Sequence, residues 1–198
     1  MKSSLLILGC FAGGLLLATR GLVPSTLLDP GLVIGVVFWL LLLVGVDIGA
    51  SPHTLQLLRQ LSRQMLVAPL IAIIGTLAGV SLASMFLPSI RVRDALAVGA
   101  GFGYYSLSSI LVTQLRGEAL GVVTLLANIL RELLTLALAP LMAHVFGSLG
   151  PVVAGGATAM DTTLPVIVKS SGLEYTMVAV WSGLVLSLLV PFFIPFLL

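Results

Sequence analysis

Charge is what this sequence has least of. Of 198 residues only 8% are Asp, Glu, Lys or Arg, and 59% are apolar. A soluble domain of this length needs more charge to cover its surface, so mean hydropathy of +1.24 excludes one. The chain is a polytopic membrane protein. Its net charge of +2 is too small to argue for nucleic acid. The few positive residues are topology signals. One cysteine, Cys10, rules out an intrachain disulfide. His53 stands beside Pro52 in a loop and His144 near a helix end, and neither has a partner at metal-ligand spacing. No GxSxG, HExxH or P-loop motif is present, so no enzyme, metal or cofactor chemistry is expected. Long loops are also missing, which leaves one transmembrane domain over residues 1–198.

What is present is hydrocarbon, in runs near the roughly 20 residues that cross a bilayer. Seven segments are expected: 3–19, 31–50, 65–87, 94–115, 119–146, 150–170 and 174–197. The first is read as a retained helix, because Thr19-Arg20-Gly21 makes a poor signal-peptide cleavage site. The breaks carry Pro, Gly or charge. The fold class is therefore all-α, a membrane helix bundle of about seven hydrophobic segments. With seven spans and a cytoplasmic N-terminus, Lys2, Arg59, Arg63, Arg116 and Lys169 fall inside, and Arg20, Arg91 and Arg93 outside. Five against three favours N-terminus in and C-terminus out.

Three acids lie inside apolar segments. A charge near the bilayer centre costs about 3 kcal/mol or more, which calls for a function or a partner. Glu132 is near the middle of the fifth segment, Asp161 near the middle of the sixth, and Asp47 near the end of the second. Asn128 lies one turn before Glu132 on the same face, and Thr135 follows. Arg131 points about 100° away. Either Arg131 neutralises Glu132 or Asp161 in a structural ion pair, or the acids line a watery cavity and bind cations or protons. Asp47 can also reach the interface from its helix end.

"GGATAMDTTLPVIVKSSG", residues 155–172, favours the cavity. Gly155, Gly156 and Pro165 weaken the helix on both sides of Asp161, and Thr158, Thr162 and Thr163 can satisfy freed backbone or coordinate a ligand. Unwound backbone at membrane depth is tolerated where it is buried or faces a cavity. Secondary transporters build their sites from such discontinuous helices. The alternative is a packing kink between close helices, but a kink does not require the aspartate. "GAGFGYYSLSS", residues 99–109, interrupts the fourth segment in the same way and offers Tyr104, Tyr105 and Ser106 as further lining residues. Segments 94–115 and 150–170 are thus expected to be discontinuous or re-entrant. "GCFAGG", residues 9–14, is more simply close packing.

"GAGFGYYSLSSILVT", "LANILRELLTLALAPL", "GGATAMDTTLPVIVKSSG" and "LVGVDIG" together resemble the lysine exporter family, over essentially the whole chain. The resemblance implies an inner-membrane secondary transporter that exports L-lysine, with an intramembrane acidic pair at Glu132 and Asp161. Members of that family are longer, with extra N-terminal membrane helices. If those bring the total to ten, the chain is part of an inverted-repeat transporter of the five-plus-five type. The missing helices would come from a separate small membrane subunit, or a homodimer would complete the cavity. The expected function is export of lysine, and of related cationic amino acids, by antiport with protons or another cation. The site residues would be Glu132, Asp161, Asn128, Thr158, Thr162, Gly156, Tyr104, Tyr105, Ser106 and Asp47. Membrane lipid is the surrounding partner. The competing expectation is a holin-like or channel-type protein in which the broken helices only pack or gate.

Overall fold

The computed structural model describes residues 63–87 and 90–198 and, before them, only positions 16, 17, 20, 35, 39, 42 and 46. The chain divides into two compact units, Met1–Ala50 and Ser51–Leu198. The fold below is that of the second unit. Asp47 and residues 9–14 lie outside the described residues.

Seven α-helices follow in order: α1 (Arg63–Ser84), α2 (Val92–Gly99), α3 (Tyr105–Arg116), α4 (Glu118–Phe146), α5 (Gly150–Gly155), α6 (Leu164–Ser171) and α7 (Thr176–Leu197). A 3₁₀ turn, Gly156–Met160, follows α5, and another, Leu173–Tyr175, leads into α7. Among the described residues, three stretches are long and apolar enough to cross a membrane: Arg63–Ser84, Glu118–Phe146 and Leu173–Leu197. In lipid a chain must satisfy its backbone internally, and unbroken helices do this.

Side chains sort as a bilayer demands. The buried residues of α4 are Gly121, Thr124, Asn128, Thr135 and Ala139, a small and polar stripe at helical spacing. Leu126, Leu130, Leu133 and Leu141 of the same helix are exposed. Small residues inward and leucines outward is the pattern of helices packed in lipid, where close approach and hydrogen bonds hold the bundle.

The remaining helices are too short to span. The eight residues of α2 and the twelve of α3 fold back on each other. Asp94 near the start of α2 and Arg116 at the end of α3 form an ion pair, with Nε to Oδ1 at 3.4 Å. A continuous helix would separate them by about 33 Å. The second broken segment turns back too. Ile167 of α6 packs with Val152 of α5 in one buried cluster, and a Cβ placed on Gly155 would lie 3.4 Å from Ile167 Cδ1.

The two hairpins enter from opposite faces. At one face the α2 and α3 ends meet the C-terminal end of α7, where Arg116 Nη2 donates to the Leu198 carbonyl at 3.2 Å. At the other, Met65 and Ala68 of α1, Val152 of α5, Ile167 of α6, and Val178 and Ala179 of α7 share a buried cluster. Segments 94–115 and 150–170 are therefore helical hairpins, not crossings. Arg116 lies on the same face as Arg91 and Arg93, whereas Arg63 and Lys169 lie on the other. Apart from Arg131 within the bundle, the described positive residues of this unit divide three against two, and Arg116 no longer adds to the Arg63 side.

The candidate site where two hairpin tips meet

The tips touch through backbone. The Ala157 amide, in the second tip, donates to the Phe102 carbonyl, in the first, at 2.8 Å. This contact explains the glycines on both sides. Gly156 has φ +64°, and a Cβ there would collide with the Phe102 carbonyl oxygen. Gly103 has φ +97°, and a Cβ would approach the Gly155 carbonyl to 3.0 Å. Only glycine combines that backbone with that proximity. Phe102 itself is held at φ +46°, wholly buried. Its ring meets Phe193 of α7 edge to face, centroids 5.7 Å apart.

Helix α4 laces both tips. Asn128 Oδ1 accepts from the Gly103 amide at 2.8 Å, and its Nδ2 donates to the carbonyls of Val98 (3.1 Å) and Thr124 (2.9 Å). One turn on, Arg131 donates from Nε to the Ala154 carbonyl (2.7 Å) and from Nη2 to Val153 (2.9 Å). Its Nη1 donates to Thr76 Oγ1 of α1 at 3.0 Å. Arg131 pairs with neither acid. Its charge goes to the carbonyl end of α5, which carries the negative pole of that short helix. Asn128 was expected as a lining residue, and the structure makes it the clamp of the first tip.

Where the α2 and α5 carbonyl ends are occupied, the amino ends of α3 and α6 open onto a cavity of about 200 Å³. It is lined by Gly103, Tyr104, Tyr105 and Ser106 from the first tip, and by Ala157, Thr158, Met160, Asp161 and Thr162 from the second. Ser187 of α7 completes the wall. Six of the ten residues expected from sequence meet here: Tyr104, Tyr105, Ser106, Thr158, Asp161 and Thr162. Gly156 forms the tip behind them.

The second tip is held open by its own hydroxyls. Thr158 Oγ1 donates to the Gly155 carbonyl at 3.0 Å and lies 3.5 Å from Thr163 Oγ1. Asp161 is exposed, and one carboxylate oxygen accepts from the Thr162 amide (2.5 Å) and hydroxyl (3.2 Å). A carboxylate at the start of a helix is stabilised there, and the bonds to Thr162 use one of its two oxygens. Glu132 is half-buried on α4, next to Arg131, and is not part of this cavity's wall. Sequence reading missed Ser187 and the role of Arg131. Arg131 gave no signal, because its partners are backbone carbonyls 22 and 23 residues away. Ser187 gave none, as one serine in a long apolar helix.

Among the described residues, three apolar helices long enough to span and two opposed helical hairpins around a polar cavity define a multi-pass membrane protein. The family model described as lysine exporter LysO matches residues 5–198. The chain belongs to that family. It is 36% identical over 157 residues to the lysine exporter LysO of Escherichia coli (strain K12), covering 79% of this chain and 52% of that protein. It is 38% identical over 136 residues to a putative lysine exporter of Haemophilus influenzae, covering 69% of each. The chain thus spans about half the length of the first relative. No solved structure matches.

Proposed function

We propose that this chain is the hairpin-bearing part of a secondary transporter that exports L-lysine, and related cationic amino acids, across the prokaryotic inner membrane. The observation that carries the reading is Asp161, an acid at membrane depth in a small polar cavity between two hairpin tips. A carboxylate suits a cationic substrate. The amino end of α3 suits the substrate's carboxylate, as half-helix ends do in other transporters. The cavity is smaller than the roughly 300–1,000 Å³ of pockets for drug-sized ligands, which fits one amino acid.

Protons drive the export in this reading. Asp161 binds protons and lysine in alternation, so uptake of one releases the other, and Glu132, which stands outside the cavity wall, takes part as a proton site. Two hairpins opposed across the membrane support an inverted repeat, extended to ten helices by a small membrane subunit or by a homodimer. The chain is oriented N-terminus in and C-terminus out, with the Arg63 end of α1 cytoplasmic.

The test is labelled-lysine exchange in proteoliposomes, for the chain alone and with any small membrane protein that co-purifies. Saturable exchange that responds to a pH gradient, and is lost in Glu132→Gln and Asp161→Asn, is the expected result. Exchange that ignores the gradient refutes proton coupling. Non-saturable flux that survives Asp161→Asn refutes the transporter and supports the channel.

A further inference from the structure

We propose that Ser187 is a specificity-determining residue of the tip-to-tip cavity, whose hydroxyl donates to the carboxylate of the bound amino acid. The proposal rests on the exporter reading and adds the group that tells an amino acid from a simple amine.

Ser187 is 5% exposed, and its Oγ has no hydrogen-bond partner in the protein. Serine and threonine in a membrane helix ordinarily donate to the carbonyl four residues back. Ser81, Thr124, Thr135 and Ser170 all do so here, to Leu77, Leu120, Arg131 and Val166 at 2.7–2.9 Å. Ser187 does not, although it too lies within a regular helix. A buried hydroxyl left without a bond is costly; those of Ser171, Thr176 and Ser182 are in the same state, and of the four only Ser187 lines the cavity.

Its place on α7 shows what it faces. Gly183, one turn before, packs against the second tip, where a Cβ would lie 2.8 Å from both the Ala157 carbonyl and Met160 Cβ. Phe193, further along, packs on Phe102 of the first tip. Ser187 sits between these contacts, where α7 passes the junction of the tips, and it lines the cavity. Asp161 lies in the same wall and attracts the ammonium but repels a carboxylate. The amino end of α3, at Tyr105 and Ser106, supplies a positive pole to the same space. A zwitterionic head group therefore has one complementary orientation, with its amine toward Asp161 and its carboxylate toward Ser187 and α3.

The test compares Ser187→Ala with wild type in lysine exchange, with cadaverine, which is lysine without its carboxylate, as competitor. The loss of one hydroxyl-to-carboxylate bond should raise the lysine KM about tenfold. Maximal rate and inhibition by cadaverine should stay as they are. The thermal midpoint without substrate should not fall, because the hydroxyl has no protein bond to lose. An unchanged lysine KM, equal weakening of lysine and cadaverine, or a lower substrate-free midpoint would each overturn the proposal. If wild-type protein exchanges lysine and the variant matches it, only the Ser187 assignment fails. If wild type exchanges no lysine, the exporter reading fails and takes this one with it.

Discussion

Replacing Gly156 by alanine should break the junction on which the cavity depends. At φ +64° and ψ −125° the residue occupies backbone that only glycine adopts readily. An alanine there stores about 1–3 kcal/mol of strain. The added methyl also meets the Phe102 carbonyl oxygen and comes within 3.0 Å of Arg131 Nη2. Neither neighbour can move freely. The carbonyl holds the Ala157 amide, and the guanidinium holds Val153 and Ala154. Losing the inter-tip hydrogen bond adds about 1 kcal/mol, so the total is about 2–4 kcal/mol. Gly147→Ala is the matched control. Its φ is +77° and ψ 175°, equally glycine-specific, but a Cβ there meets nothing within 4 Å. It carries the strain without the collision. Thermal unfolding of both variants in detergent, beside lysine exchange in liposomes, separates the two effects. Gly156→Ala should be the less stable by about 1–2 kcal/mol and should lose exchange, whereas Gly147→Ala should keep it. Equal stability losses, or full exchange by Gly156→Ala, would refute the reasoning.

Two further outcomes are expected. Arg131→Met keeps the apolar stem but leaves the Val153 and Ala154 carbonyls without their donor, at about 1–3 kcal/mol each; a thermal midpoint equal to wild type would show that the second tip needs no clamp. Cysteines at Arg93 and Gly117, in a Cys10→Ser background, should react with a membrane-impermeant thiol reagent from the same side, and cysteines at Gly147 and Gly172 from the opposite one. Labelling of positions 93 and 117 from different sides would mean that the fourth segment crosses the membrane.

The location of the breaks was readable from sequence because its cause is local. Gly155, Gly156 and Pro165 cannot sustain a helix around Asp161, and the glycines at 99, 101 and 103 cannot do so before Tyr104. The direction taken after each break was less evident. A hydropathy run of 20 residues reads alike whether it crosses or folds back. What decides is pairing between its ends, as in Asp94 with Arg116. The roles of Asn128 and Arg131 were obscured for a related reason. Their partners are backbone carbonyls and an amide 22 to 30 residues away, which no side-chain pattern announces. Sequence reading sought an acid for the arginine, and the fold supplies a helix end. Ser187 becomes visible only when the buried hydroxyls without a partner, those of Ser171, Thr176, Ser182 and Ser187, are set against the cavity wall, which holds Ser187 alone of the four.

The most direct measurement is protection of the cavity by substrate. Single cysteines at Ser106 in the first tip and Thr162 in the second, both exposed positions of the wall, would be labelled in a Cys10→Ser background with increasing L-lysine. If the tips enclose one substrate site, lysine slows both reactions with the same half-saturating concentration, and Asp161→Asn removes the protection at both. Labelling that lysine leaves unchanged at either tip, or protection that persists without the Asp161 carboxylate, would contradict a shared site between the hairpins.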